Sequence, residues 1–352
     1  MQIHATNING LGASQVVISF LDAYTNKKNF NNATIFLPNK GILSNYKPKK
    51  VIVHRFNRKL PNAVSRLLEC LFSRIFFPDI PTIVLGDIPL RGIKNQVVLV
   101  HQPNLIKPKV NAFSSTSLTF KVNRFLFTMN HKYAKKIIVQ TGAMAKDMIA
   151  SYPSIQDKVI ISPQPVPNWL SIEKILKADN KNKTVLFYPA AFYPHKKHHF
   201  LLEFNNYCKK NKVDVSHFEI WLTLSKKEFE PLKGVEFLKN LGRLNNDEMN
   251  MHYRKVDALL FLSSMESYGL PLVEALTINL PIVAVKFDYS TWLCEDSAYY
   301  FKPYEEKSFL SAIDQLIQDI KENKLVNYDK ALKKFPESWE DVVAVFENAL
   351  NK

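Results

Sequence analysis

The chain has 352 residues, 46% hydrophobic and 22% charged, and its 47 basic and 32 acidic side chains give a formal charge of +15. That length exceeds one ordinary core and implies two domains, and the composition excludes a disordered or fibrous chain. The charge implies an anionic partner (nucleic acid, a membrane surface or a phosphorylated substrate) without choosing among them.

The elements follow in chain order. "GASQVVISFLDAY" after Gly10 reads as a helix with Val16, Val17, Phe20 and Leu21 on one face. Short β-rich runs then recur: "ATIFLP", "KKVIVHRF", "PTIVLG", "NQVVLVHQ", "KKIIVQT" and "DKVIISP". Helical patterns lie between several of them, at "NAVSRLLECLFSRIF", "FKVNRFLFTMNHKYA" and "GAMAKDMIASY". Strands alternating with helices imply a parallel, doubly wound sheet. The proline-rich and then polar stretch "PQPVPNWLSIEKILKADNKNK" breaks the pattern and reads as a linker. A second alternating series runs from "KTVLFYP" to "KSFLSAIDQLIQDIKENK", and "SWEDVVAVFENALNK" is a last amphipathic helix. The expected division is a first domain over 1–166, a linker over 167–183, a second domain over 184–335 and a final helix over 336–352. Two such domains imply a cleft, a favoured place for ligands.

Cys70, Cys208 and Cys294 are too far apart for a disulfide framework or a metal site, which fits a reducing compartment. "MQIHATNINGLGASQVV" lacks the basic and apolar regions of a signal peptide, and no run of ~18 apolar residues exists. The expectation is a cytoplasmic chain without a spanning helix.

The most informative stretch is "FLSSMESYGLPLVEALTINLPIVA", Phe261 to Ala284. It sets Glu266 and Glu274 eight positions apart with Gly269 and Pro271 between them, in a strand–turn–helix–strand pattern. Ligands of parallel sheets bind at the carboxyl ends of strands, and phosphates favour helix N-termini. Two acids beside such a terminus suit a ligand with hydroxyls on both sides of a phosphate, such as a nucleotide sugar. Taken alone, two such acids are more commonly solvated residues of a helix end.

On these residues the chain resembles the retaining glycosyltransferases of the GT-B fold, in glycosyltransferase family 4. "ESYGLPLVE" matches the family's E-x7-E signature, and "VLFYPAAFYPHKKHH" resembles the first strand and phosphate loop of its second domain. "NINGLGASQVV", "VVLVHQPN", "KKIIVQTGAMAKDM" and "SWEDVVAVF" also fit, so the likeness covers nearly the whole length. The subgroup it resembles assembles bacterial surface polysaccharides such as O-antigen. One position departs: the family often has an Arg five residues before the loop lysine, and here that residue is Ala191 while Lys196 is kept. Arg forks onto two phosphate oxygens and Lys does not, so Lys197 or Arg243 is left to supply the second charge.

The resemblance implies an α/β GT-B architecture, two Rossmann-like domains facing across a cleft, with the C-terminal helix packing back on the first domain. It implies transfer of a sugar from a nucleotide-diphosphate sugar to a glycan or lipid-linked acceptor, with retention of anomeric configuration. No cofactor and no metal are expected, and no Asp-x-Asp motif is present. Lys196 neutralises the leaving diphosphate, helped by N–H groups of the helix after Gly269. Glu274 accepts hydrogen bonds from the ribose, and Glu266 binds hydroxyls of the donor sugar or acts as a nucleophile. Ser267, Gly269, Leu270, Arg243, Leu244 and Gly12 complete the donor side. Gly10, His101 and Asn104 form the acceptor side, with His101 near the reacting carbon. Plainer readings stand beside these: a structural strand-end histidine, an ordinary strand–helix turn at Gly10 and Gly12, and a solvated charge run at "HKKHH".

The segment from Tyr46 to Phe77 is strongly basic and then apolar, with Leu67, Leu68, Leu71, Phe72, Ile75 and Phe76 flanked by Arg66 and Arg74. It reads either as an interfacial helix on anionic lipid, at the cytoplasmic face of the inner membrane, or as a helix burying its apolar face in the first domain. Other functions fit less well. A sugar-nucleotide epimerase lacks the E-x7-E signature, and nothing suggests the pyridoxal lysine of a phosphorylase. A nucleic-acid-binding protein is favoured by charge but by no motif. A dinucleotide oxidoreductase wants a third glycine where Gln15 stands.

Overall fold

The computed structural model of the protein describes residues 1–8, 10–27, 33–48, 52–56, 62–107, 118–166, 169–170, 183–324 and 326–351. Two units emerge: Met1–Pro167 with Phe335–Lys352, and Asn168–Lys334. Nearly all of the expected linker over 167–183 lies outside the described residues.

The first unit opens on a strand that the sequence reading does not find, β1 (Gln2–His4). It has three residues, two of them polar, yet it sits in the middle of the sheet. One nitrogen of each polar side chain is bonded, which offsets part of the cost of burial, while Gln2 Oε1 and His4 Nδ1 are buried without a partner. Gln2 Nε2 donates to Pro78 O at 2.9 Å and to Thr82 Oγ1 at 2.8 Å, and His4 Nε2 lies 2.6 Å from Glu69 Oε1. Then come α1 (Leu11–Asn26), β2 (Thr34–Pro38), β3 (Ile52–Phe56), α2 (Asn62–Leu71), α3 (Ser73–Phe76), β4 (Thr82–Val84) and β5 (Gln96–Val100). The unit continues through α4 (Leu118–Asn130), β6 (Lys136–Val139), α5 (Gly142–Ser151) and β7 (Val159–Ile161). The strands are parallel, in the order β3-β2-β1-β4-β5-β6-β7. β5 is buried along its whole length, as a strand covered on both faces must be.

The run 62–76 is not the single helix its pattern suggests. It breaks at Phe72, whose φ of −112° leaves the helical range. Leu67 and Leu71 pack with Cys70, Ile88 and Leu126 between α2 and α4. Beyond the break, Phe72, Ile75 and Phe76 turn outward, with Ile75 76% exposed.

The second unit holds β8 (Thr184–Tyr188), α6 (Phe200–Asn211), β9 (Phe218–Leu222), α7 (Lys226–Phe229), β10 (Leu238–Asn240), α8 (Asn246–Tyr253) and β11 (Ala258–Phe261). It ends with α9 (Leu270–Thr277), β12 (Ile282–Val285), α10 (Asp288–Cys294), β13 (Tyr299–Phe301), α11 (Glu306–Lys321) and α12 (Asp329–Leu332). The sequence reading passes over α10, a short helix with no apolar period. This sheet is also parallel, in the order β10-β9-β8-β11-β12-β13. The order runs outward in both directions from the β8–β11 pair. The carboxyl ends of those two strands are therefore the switch point where ligands of doubly wound sheets bind.

The last helix, α13 (Trp339–Asn351), returns to the first unit and lies against α1, β4 and β5. Phe346 meets Phe20 edge-on at 4.9 Å, Lys27 pairs with Glu347 at 2.6 Å, and Trp339 Nε1 donates to Val166 O at 3.0 Å.

Candidate active site

The β8 and β11 loops are tied to each other before any ligand is considered. After β8, Pro194–Lys196 makes one tight turn, and Lys197 closes it in the left-handed region at φ 54°. The carbonyl of His195 accepts from the Ser264 N–H at 2.7 Å and from the Ser264 hydroxyl at 3.2 Å. Tyr188 OH donates to Lys196 O at 2.5 Å, and Tyr289 OH donates to Ser263 O at 2.5 Å. Burial, with the Glu266 charge adding to it, raises both phenols well above their usual range, so they act as donors that stay protonated.

This frame brings Lys196 and Glu266 together. Lys196 Nζ donates to Glu266 Oε1, and both side chains are largely buried. The ammonium also lies 5.5 Å from the centre of the Phe261 ring. The two charges match each other, so neither is left unpaired in this largely buried place.

The other basic groups sort by their partners. Arg243 Nη2 donates to both oxygens of Glu228 at 2.6 Å, so its charge is already matched. Lys197 Nζ lies over the Tyr304 ring at 5.2 Å and has no carboxylate partner among the described residues. His198 is buried between the Tyr188 and Phe192 rings, and burial, ahead of the Lys196 charge, pushes its imidazole down to about 4. It is a neutral core residue. Burial, then Lys196, also lowers His195.

Gly269 starts α9 at φ 82°, and a Cβ there would meet Leu272 Cδ1 at 3.3 Å. Most of the N–H groups at this helix terminus are missing or already bonded. Pro271 has no N–H, and the N–H groups of Leu272 and Val273 are both bonded to Gly269 O, at 2.9 and 3.4 Å. The N–H groups of Gly269 and Leu270 have no hydrogen-bond partner among the described residues. Glu274 lies in the second turn of α9 and is 5% exposed. Its Oε2 accepts from Tyr253 OH at 2.5 Å. Burial pushes this carboxyl up to about 7, against the opposing pull of the Tyr253 bond. Sequence reasoning misses Tyr253, since one tyrosine at the end of a polar helix carries no distinct signal. Ser267 and Leu270 are half-buried beside Glu266 and Gly269, and Leu244 follows β10 past Gly242 at φ 82°.

In the first unit, Gly10 caps α1 at φ −77°, and a Cβ there would meet only Ala13 Cβ, at 3.9 Å. Neither backbone nor packing requires a glycine at that position. Gly12 is exposed in the first turn of α1. His101 follows β5, its N–H donating to Asp87 Oδ1 at 2.8 Å, while its Nδ1 lies 3.6 Å from the same oxygen, beyond hydrogen-bond length. Asp87 itself holds a left-handed φ of 70°. Asn104 is fixed by Gln102, whose Oε1 accepts from Asn104 Nδ2 at 2.9 Å.

Two doubly wound parallel sheets, with a lysine and two glutamates at the switch point of the second, define the class: a GT-B chain of two Rossmann-like units. Residues 171–334, nearly all of the second unit, match the family model described as glycosyl transferases group 1. The O-antigen chain mannosyltransferase RfbU of Salmonella typhimurium is 23% identical over 240 residues, which is 66% of this chain and 63% of RfbU. The chain thus spans less than two thirds of that relative. The Anabaena Alr3699/HepE structure with UDP-glucose aligns at a TM-score of 0.69 with 15% identity, covering 99% of this chain and 100% of HepE. WaaG, a glycosyltransferase involved in lipopolysaccharide biosynthesis, aligns at 0.68 with 11% identity, covering 100% of this chain and 94% of WaaG.

Proposed function

We propose that the protein transfers a hexose from a nucleotide-diphosphate sugar to a glycan or lipid-linked acceptor in bacterial surface polysaccharide assembly. The observation that carries this reading is the Lys196–Glu266 pair at the β8–β11 switch point, with Glu274 buried in the helix that follows. Cleavage of the anomeric C–O bond leaves charge on the diphosphate. Lys196 neutralises it, with Lys197 as the second cation, since Arg243 is matched by Glu228. The N–H groups of Gly269 and Leu270 add two donors. Glu274 accepts from the ribose and Glu266 from the sugar. The acceptor oxygen attacks the anomeric carbon on the face the diphosphate leaves, and the departing phosphate oxygen takes the acceptor's proton. Configuration is retained, and Lys196 does the work a metal ion does elsewhere. His101, Asn104 and Gly10 serve the acceptor.

Work on a lipid-linked acceptor at the cytoplasmic membrane face is supported by the first unit. Phe72, Ile75 and Phe76 of the α2–α3 segment and Phe125 of α4, on elements that pack together, are exposed. Between residues 39 and 135 the sequence holds 17 basic residues and three acidic ones, a match for anionic lipid. No described helix is long and apolar enough to cross a membrane.

A thermal-shift panel of UDP, GDP, dTDP and their common sugars tests the donor reading, because a ligand that binds the native state raises its melting point. One base should stabilise selectively, and Lys196→Ala should lower transfer by about 10²–10³. Absence of a shift with every nucleotide sinks the reading.

A further inference from the structure

We propose that Tyr253 is a positioning residue for the donor nucleotide, holding Glu274 by Oε2 so that Oε1 is presented to the ribose hydroxyls. This rests on the donor-site reading above. Tyr253 is fully buried at the end of α8, and its ring stands edge-on to Phe187 of β8 at 5.3 Å. The helix is fixed at its start by reciprocal bonds between Asn245 and Glu248. Tyr253 OH therefore reaches Glu274 from a rigid seat, at 2.5 Å. Among the described residues the other carboxylate oxygen has no hydrogen-bond partner. The carboxyl is thus held by one oxygen, and the other keeps its acceptor capacity free for a ligand.

The tyrosine also acts on charge. Its bond favours the ionised carboxyl, opposing the burial that favours the neutral one. A neutral Glu274 would offer the ribose a poorer acceptor. β11 brings no titratable group to α9; α10 brings Asp288, Tyr289 and Cys294, α12 brings Asp329 and Lys330, and α8 brings Asp247, Glu248 and His252. None of these bears on the Glu274 carboxyl; burial and Tyr253 do.

The test is calorimetric binding of UDP, GDP and inorganic pyrophosphate to wild type and Tyr253→Phe from pH 5.5 to 8.5. Phe keeps the ring and removes only the hydroxyl. The variant should bind whichever nucleotide wild type prefers about tenfold more weakly at pH 7. The limb over which affinity falls with acid should move to higher pH. Pyrophosphate, which has no ribose, should bind both proteins equally. Unchanged nucleotide affinity and pH limb overturn this inference while leaving the donor site standing. Equal losses for nucleotide and pyrophosphate mean that Tyr253 only supports the fold, and also overturn it. A wild type that binds neither nucleotide, and shows no thermal shift with dTDP, removes the donor-site reading itself. If Tyr253→Phe does not fold, Glu274→Gln decides: the pH limb of nucleotide binding should vanish, and its persistence places the titrating group elsewhere.

Discussion

Glu274→Gln should make the second unit more stable near neutrality than in acid, relative to wild type. In the folded protein the Glu274 carboxyl is pushed from its ordinary value near 4.5 up to about 7, chiefly by burial. Below pH 4.5 the folded and unfolded chains both carry the proton, and the group contributes nothing to pH dependence. Between 4.5 and 7 the unfolded carboxyl is ionised while the folded one still holds its proton, so stability falls as pH rises. Above 7 the full cost is present. A shift of this size is worth about 3 kcal/mol at roughly 1.4 kcal/mol per pH unit. Glutamine fills the same space, still accepts from Tyr253 and does not titrate. The gap between variant and wild type should therefore widen by about 3 kcal/mol from pH 4.5 to 8, or roughly 6–12 °C in the melting point of a unit this size. All other groups are common to both proteins and cancel. Paired thermal melts across that range measure the gap. A gap that stays level refutes the reasoning, because the carboxyl would then titrate as a solvated one.

Glu266→Gln should bind inorganic pyrophosphate several-fold more tightly by calorimetry, because Lys196 loses its internal carboxylate partner, while sugar transfer falls; unchanged or weaker binding means that the pair does not occupy the phosphate position. Gly269→Ala should destabilise the second unit by about 1–2 kcal/mol, from its left-handed backbone and the close approach of Leu272, and an unchanged denaturation midpoint would contradict that. The double variant Ile75→Glu, Phe125→Glu should lose co-sedimentation with phosphatidylglycerol vesicles at low salt while keeping nucleotide binding; vesicle binding equal to that of wild type excludes this surface as the membrane contact.

Legibility in the sequence followed the length of the signal. Strands such as Gln96–Val100 and Ile282–Val285 are apolar runs buried on both faces, and their pattern announces them. β1 does not announce itself, because its place in the sheet is secured by Thr82, Pro78 and Glu69, residues remote in sequence. The Phe72 break is equally silent: the apolar period continues through it, and only the backbone shows that the last three aromatic and aliphatic side chains leave the core. Glu266, Gly269 and Glu274, the residues proposed for the donor, stand out in the sequence because their spacing along one loop and helix sets them close together. Tyr253 and the engagement of Arg243 with Glu228 were not, since each depends on which loops the sheet order makes neighbours. The bonding at the helix N-terminus is also silent in the sequence: the N–H groups of Leu272 and Val273 turn back to Gly269 O, which no spacing rule reveals.

Helix α13 has a consequence for how the protein is made. The first unit is assembled from both ends of the sequence, with Asn168–Lys334 emerging between them. Until Trp339–Asn351 follows, Phe20 and the neighbouring face of β4 and β5 lack their cover. At about 5–20 residues per second, that interval lasts roughly 8–35 s. For that time the nascent first unit is an unfinished, sticky body, while the second has all its own strands and can close. The order of completion is thus the reverse of the order of synthesis.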